Sequence, residues 1–207
     1  MKTNRAFQEM LAAARARLYH RQPVDIAEKA GAVFDSGNSA FKIQSMGQEI
    51  EILFPSCECR QVLDEWHHLI ILHYLDLADG MPVASQLVSF GSLKDGMIRG
   101  TKFDHTSESE LSRFLQDKET KQIQAVCAAL GAKIVESKAD LCVVFPLLPH
   151  YPVTMNVWYA DDEFPSSGKL LLDKNADHYL TIEDAVTAGE FILKALTNKY
   201  RKIFATD

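Results

Sequence analysis

Long apolar runs are missing from this chain. The strongest, residues 69–72, falls far short of the roughly 20 apolar residues that a membrane-spanning helix needs. No apolar stretch follows the first charged residues, so no secretory leader is expected and the cytoplasm is the expected address. Positive charge is not in excess either. The 22 Lys and Arg face 28 Asp and Glu, for a net charge of −6. Such a chain lacks the overall positive field that draws proteins onto nucleic acid or anionic lipid, so neither partner is expected. Cysteine is scarce: Cys57, Cys59, Cys127 and Cys142 are the full set of 4. Zinc and iron–sulfur sites usually need three or four soft ligands at recognisable spacing. Only Cys57-x-Cys59 brings two thiols close, while Cys127 and Cys142 sit in apolar segments, where a thiol behaves as a small hydrophobe. A redox or metal role for the close pair stays open.

The familiar catalytic signatures are missing as well. No Gly-x-Gly-x-x-Gly, phosphate-binding loop, Gly-x-Ser-x-Gly or His-Glu-x-x-His occurs, which removes several large enzyme classes as simple readings. Internal repeats and Pro/Gly/Ser-rich linkers are lacking too, so residues 1–207 are expected to form a single domain. The composition, 47% hydrophobic and 24% charged, is that of a soluble globular protein able to bury a proper core without disulfides.

What is present is periodicity. The first 21 residues place Phe7, Met10, Leu11, Ala14 and Leu18 at helical spacing beside Lys2, Arg5, Arg15, Arg17 and Arg21, with only Glu9 opposed. A basic amphipathic helix can grip lipid or RNA; the ordinary reading, a packed terminal helix with its charges in water, is preferred. A short helix is expected from Pro23 to Gly31. The period then shifts to two over residues 41–54, with turns at Ser36-Gly37-Asn38 and Met46-Gly47, predicting an antiparallel meander. Residues 61–79 predict a long central helix with two apolar stripes, one containing Val62, Trp66, Leu69 and His73, stopped by Gly80 and Pro82. Residues 82–106, weakly periodic and glycine-bearing, read as a loop-rich excursion. Ser107 with Glu110 reads as a capping box starting the next helix. A helix through Ile123, Val126, Cys127 and Leu130 closes at Gly131. Strands are expected at 134–135, 141–145, 153–159 and 169–172, with the Pro146–Pro152 stretch as a bend. Thr181 with Asp184 caps a closing helix. Strands grouped without βαβ alternation argue an α+β fold of antiparallel β-meanders packed against a long central helix and a C-terminal helix.

Besides the Cys57/Cys59 pair, three places offer chemistry. Glu65-x-x-His68 is half of a di-iron carboxylate ligand set, but the second half is missing, and His67 and His68 point about 100° apart on a helix. The structural reading, with Trp66 and His73 satisfied in the core and His67 or His68 at its rim, is preferred. Lys174, Asp177, His178 and Tyr179 group before the closing helix with nothing to set their geometry. The run Asp161-Asp162-Glu163-Phe164-Pro165 follows a strand ending in Trp158 and Tyr159. Three carboxylates beside aromatics can hold a hard cation, act as a general base or position a cationic ligand. They can equally form a solvated acidic turn.

That acidic Phe-Pro run, together with the stretch from Leu171 to Asp184, Ile70-Ile71-Leu72-His73-Tyr74-Leu75, Gly80-Met81-Pro82 and Ser89-Phe90, resembles the bacterial family catalogued as domain of unknown function 3786. The resemblance runs from the meander to the closing helix. It implies occurrence mainly in anaerobic bacteria, with some members fused to cysteine-rich iron–sulfur modules that this chain lacks, and it supplies no reaction and no cofactor.

Two functions follow as expectations. The first is a binding or accessory module for a small molecule or metal cofactor, with a pocket between the central helix and the β-rich C-terminal third. Asp161, Asp162 and Glu163 would form its rim, and Trp158, His73 and Tyr74 its walls. The second is an enzyme using the acidic cluster as a divalent-metal site or general base, with His73 or His178 as acid. A weaker third is a scaffold that docks a partner through residues 82–106.

Overall fold

A computed structural model describes residues 5–204, so Lys2 of the basic N-terminal segment lies outside the described residues. Among the described residues six α-helices accompany two antiparallel sheets, an α+β architecture. The chain opens with α1 (Arg5–Tyr19) and α2 (Pro23–Ala30). Pro23 occupies the first turn of α2, and Gly31 ends it in the left-handed region at φ 61°, where a side chain would be strained. A three-stranded sheet follows: β1 (Val33–Asp35), β2 (Ala40–Ser45) and β3 (Gln48–Leu53), in that order. Phe41, Ile43, Ile50 and Ile52 fill its buried face, as the alternation requires.

The central helix α3 spans Glu65–Leu77 and is buried on several sides through Leu69, Ile70, Ile71, Leu72, Tyr74 and Leu75. It starts four residues later than the pattern implied. Asp64 caps it by accepting from the Trp66 backbone N–H. Gln61 is drawn instead to the backbone of β3, accepting from the Glu51 N–H and donating to the Glu49 carbonyl. Val62, expected in an apolar stripe, is therefore fully exposed.

The second correction concerns residues 82–106. They contain β4 (Leu87–Val88), a 3-10 turn at Phe90–Ser92 and the first half of a 20-residue helix, α4 (Gly96–Leu115), whose second half is the helix expected after Ser107. Ser107 sits buried inside that helix, its hydroxyl donating to the Asp104 carbonyl, and caps nothing. After α5 (Thr120–Ala128), started by a Glu119/Gln122 capping box, come β5 (Lys133–Val135), β6 (Leu141–Leu148), β7 (Tyr151–Trp158) and β8 (Ser167–Asp173). The second sheet has five strands in the order β4-β8-β7-β6-β5. Pro146 and Pro152 do not make the bend. They are register partners within β6 and β7, and the chain reverses at Pro149 and His150. The closing helix α6 (Ile182–Phe204) begins as expected, with Asp184 N–H donating to the Thr181 hydroxyl.

One face of this sheet, carrying Val143, Phe145, Val153, Met155, Val157, Leu170 and Leu172, is wholly buried. α4 lies against β8 there so closely that a Cβ on Gly168 would stand 3.1 Å from Leu111. The other face, with Val144, Asn156, Lys169 and Leu171, is half-buried. Among the described residues the buried apolar side chains, Ala40 and Cys142 apart, belong to one contiguous cluster. No helix among the described residues is long and apolar enough to cross a membrane.

Tyr151 lies inside that cluster with a buried hydroxyl that has no hydrogen-bond partner among the described residues. An unsatisfied buried hydroxyl costs about 1–3 kcal/mol, so Tyr151→Phe is expected to raise stability by about 1 kcal/mol in urea unfolding. A loss of comparable size would show that the hydroxyl has a partner in solution.

Candidate functional site

α3 and α6 run antiparallel and are joined at three levels. His73 Nδ1 meets Asp184 Oδ1 at 2.6 Å; the His67 ring stacks on Phe191 at 4.5 Å between centroids; Lys194 Nζ reaches Asp64 Oδ2 at 2.7 Å. Where this seam opens, α4 approaches, and Arg99 pairs with Glu183 at 3.1 Å. The result is a cleft of about 360 Å³. Trp66 and Phe191 are its aromatic walls; Arg99 and Lys194 supply cations, Asp64 and Glu190 carboxylates, and Thr187 a hydroxyl. Burial works to raise the Asp64 pKa, but the Lys194 hydrogen bond and charge outweigh it and hold the carboxyl below its ordinary value.

The wall behind Phe191 is built on a buried Ser–His pair. Ser45 Oγ donates to the Leu147 carbonyl at 2.6 Å and lies 2.7 Å from His67 Nε2. Since the hydroxyl proton is committed to Leu147, Nε2 carries the ring proton and donates to Ser45. Burial pushes the His67 pKa down to about 4, against the pull of Asp64, so the ring is neutral at pH 7. Of the two histidines expected at the rim, His67 is thus interior and His68 half-buried, while Trp66, expected in the core, is half-exposed in the cleft.

His73 has a different surrounding. Asp184 binds its Nδ1 and also accepts from the Thr181 hydroxyl at 2.7 Å. Burial favours a raised Asp184 pKa, but His73 and Thr181 reverse the balance and lower it. Nε2 of His73 has no partner among the described residues. This His–Asp pair has the orientation logic of a general base, yet the Trp66 cleft does not include it. Tyr74 is buried: its hydroxyl donates to the Ala30 carbonyl at 2.9 Å and accepts from His150 N–H at 3.0 Å, and its ring stacks on Tyr179.

Asp161, Asp162 and Glu163 occupy the exposed turn between β7 and β8. Asp161 Oδ1 accepts from the Glu163 N–H at 2.9 Å and the Phe164 N–H at 2.7 Å, bonds that hold its carboxyl below the usual range. Trp158 ends β7, paired in register with Ser167 and partly exposed. Thus His73 and Tyr74 come together on α3, the acids and Trp158 come together at the hairpin tip, and no hydrogen bond, ion pair or ring contact among the described residues joins the two groups.

The remaining candidates hold structure in place. His178 Nδ1 binds Asp79 at 2.7 Å, which lowers the Asp79 pKa, and the Tyr179 hydroxyl donates to the Met81 carbonyl, fixing the chain after α3. Cys57 and Cys59 are free thiols, both shifted upward by burial, and His68 Nε2 donates to the Cys57 carbonyl at 2.9 Å. Among the described residues no three His, Cys, Asp or Glu side chains converge as a metal site requires. Sequence reasoning passed over Arg99, Thr187, Glu190, Phe191 and Lys194. The spacing 187-190-194 marks one helical face, but nothing local brings Arg99 or Asp64 to it.

Comparison with known proteins adds a family. The sequence model described as Domain of unknown function (DUF3786) matches residues 22–195, which include every residue of the Trp66 cleft. No curated protein and no solved structure matches the chain.

Proposed function

We propose, for a chain that belongs to the family described as Domain of unknown function (DUF3786), that it is a small-molecule-binding domain whose site is the cleft between Trp66 and Phe191. The observation that carries this reading is the joining of two aromatic walls with charged groups of both signs on a rigidly braced seam. Its volume of about 360 Å³ lies within the range of ligand pockets. Aromatic walls favour a flat ring; Arg99 and Lys194 favour an anionic or carbonyl substituent, and Asp64 and Glu190 a donor group. Cross-links between α3 and α6 spare the ligand the cost of ordering the walls. The role we propose is binding; among the described residues the Thr187 hydroxyl in the cleft donates to the Glu183 carbonyl at 2.9 Å.

The test is a thermal-shift and tryptophan-fluorescence screen with adenine, nicotinamide, pterin and riboflavin. A ligand at a hundred times its dissociation constant adds about 2.7 kcal/mol, a rise of roughly 5–10 °C for a chain of this size. Trp66→Ala and Lys194→Met should each abolish that rise while leaving the unliganded melting point within roughly 3 °C. Stabilisation that survives both substitutions would place the ligand elsewhere and end this reading.

A further inference from the structure

Further along the same face of α6, toward its C-terminus, a second groove of about 560 Å³ runs between the C-terminal ends of α4 and α6. Arg113, Lys118 and Arg201 line it around Phe114 and Tyr200, with Glu110 as its one carboxylate. Elsewhere some cations meet acids, Arg17 and Arg21 at Asp76, Arg60 at Glu51 and Lys169 at Glu108, while scattered surface lysines such as Lys94, Lys121 and Lys138 stand in no ion pair among the described residues. Arg113, Lys118 and Arg201 have no ion-pair partner among the described residues. Arg113 Nε reaches only the Ser109 carbonyl of its own helix, at 3.4 Å. Lys118 is held in place: Asp117 adopts φ 58°, turning the chain after α4, and Lys118 Nζ stands 5.1 Å from the Phe114 ring centre and 4.9 Å from that of Tyr200. The Tyr200 hydroxyl donates to Gln122 Oε1 at 3.0 Å, which anchors that ring from α5.

A cation in the last turn of a helix complements the helix dipole, and Arg113 and Arg201 both do so. That accounts for each singly. It does not account for three cations outside any ion pair lining one aromatic-walled groove against a single carboxylate, where an anion would relieve a repulsion that water and salt only screen. Two arginine forks and an ammonium match the oxygens of a phosphoryl group, and the exposed edges of Phe114 and Tyr200 provide apolar surface beside it. We propose that this groove binds the phosphate monoester of a small organic molecule, independently of the Trp66 cleft.

The experiment titrates the ¹⁵N-labelled full chain with phenyl phosphate, inorganic phosphate and phenol, following amide shifts. Phenyl phosphate is expected to shift residues of the groove with a millimolar or lower dissociation constant, at least several-fold tighter than inorganic phosphate, and phenol is expected to leave them unmoved at about 10 mM. Arg201→Glu and Arg113→Glu should each weaken phenyl phosphate roughly tenfold, as should raising the salt to about 0.5 M, while Trp66→Ala leaves binding intact. Four outcomes overturn the proposal: no shift at the groove by about 10 mM, equal binding of phosphate and its ester, affinity indifferent to both charge reversals, or loss of binding in Trp66→Ala.

Discussion

Gly100→Ala is expected to melt roughly 6–12 °C below the parent protein, a loss of about 3 kcal/mol. Helix propensity alone predicts the opposite, since alanine inside a helix is worth about 1 kcal/mol more than glycine. The sign is decided by contact. A Cβ at Gly100 would lie 2.3 Å from the Phe90 carbonyl oxygen and 2.5 Å from its carbon, both backbone atoms that no rotamer change can remove. Gly96, one turn earlier, faces the same oxygen at 2.3 Å, and Asp104, one turn later, accepts from the Phe90 and Gly91 N–H groups at 3.0 and 2.9 Å. The 96-100-104 stripe of α4 is thus a seat for the 3-10 turn at Phe90–Ser92, and Phe90 itself is fully buried. Gly37→Ala, in an exposed turn whose nearest atom is Asp35 Oδ1 at 3.4 Å, is the control and should stay within roughly 2 °C. A Gly100→Ala melting point inside that same margin would mean the seat is not a close contact in solution.

Acid should destabilise this protein well before its carboxylates titrate, and His67 is the reason. In the unfolded chain its imidazole has the ordinary pKa of 6.5; in the fold burial moves it to about 4. Between those values the unfolded state binds the extra proton, so the stability associated with a neutral His67 is fully present above pH 6.5 and drains away as pH falls toward 4. At pH 5 the loss is about 2 kcal/mol relative to pH 8. Burial also lowers His68, so some slope will remain whatever happens at His67. His67→Phe keeps a ring against Phe191 and leaves Ser45 donating to Leu147. Urea unfolding at pH 8 and pH 5 should therefore show the acid loss shrinking by about 2 kcal/mol in the variant. Equal losses in both proteins would show that His67 is not buried neutral. The consequence for the cleft is direct, because a protonated His67 would put a charge behind Phe191 and loosen the wall that the ring supports.

Much of the architecture could be read from local pattern. The alternation of Phe41 and Ile43 against Ile50 and Ile52 foretold a meander, and Pro23 with Gly31 and Thr181 with Asp184 marked helix ends, because caps and pleats are set by residues within four positions of one another. The first half of α4 reads as loop for the same reason, while its second half, after Ser107, reads as helix. Gly96 and Gly100 look like loop residues until the turn that packs on them is known, and Ser107 looks like a cap until it is seen buried. At the cleft, Trp66 was visible as a large aromatic on the central helix, but its partners were not. Lys194 meets Asp64 across 130 positions, and His73 meets Asp184 across 111.

By itself, then, the order of residues determined the kinds of element, their antiparallel grouping and the depth of α3, since each depends on hydrophobic spacing along a short stretch. Only the folded chain decided that His67 is interior and Trp66 at a surface cleft, and that three basic side chains near two helix ends face one groove. Those outcomes depend on which helix packs beside which and at what rotation. Side chains far apart along the chain reach each other only through that packing, and no local period encodes it.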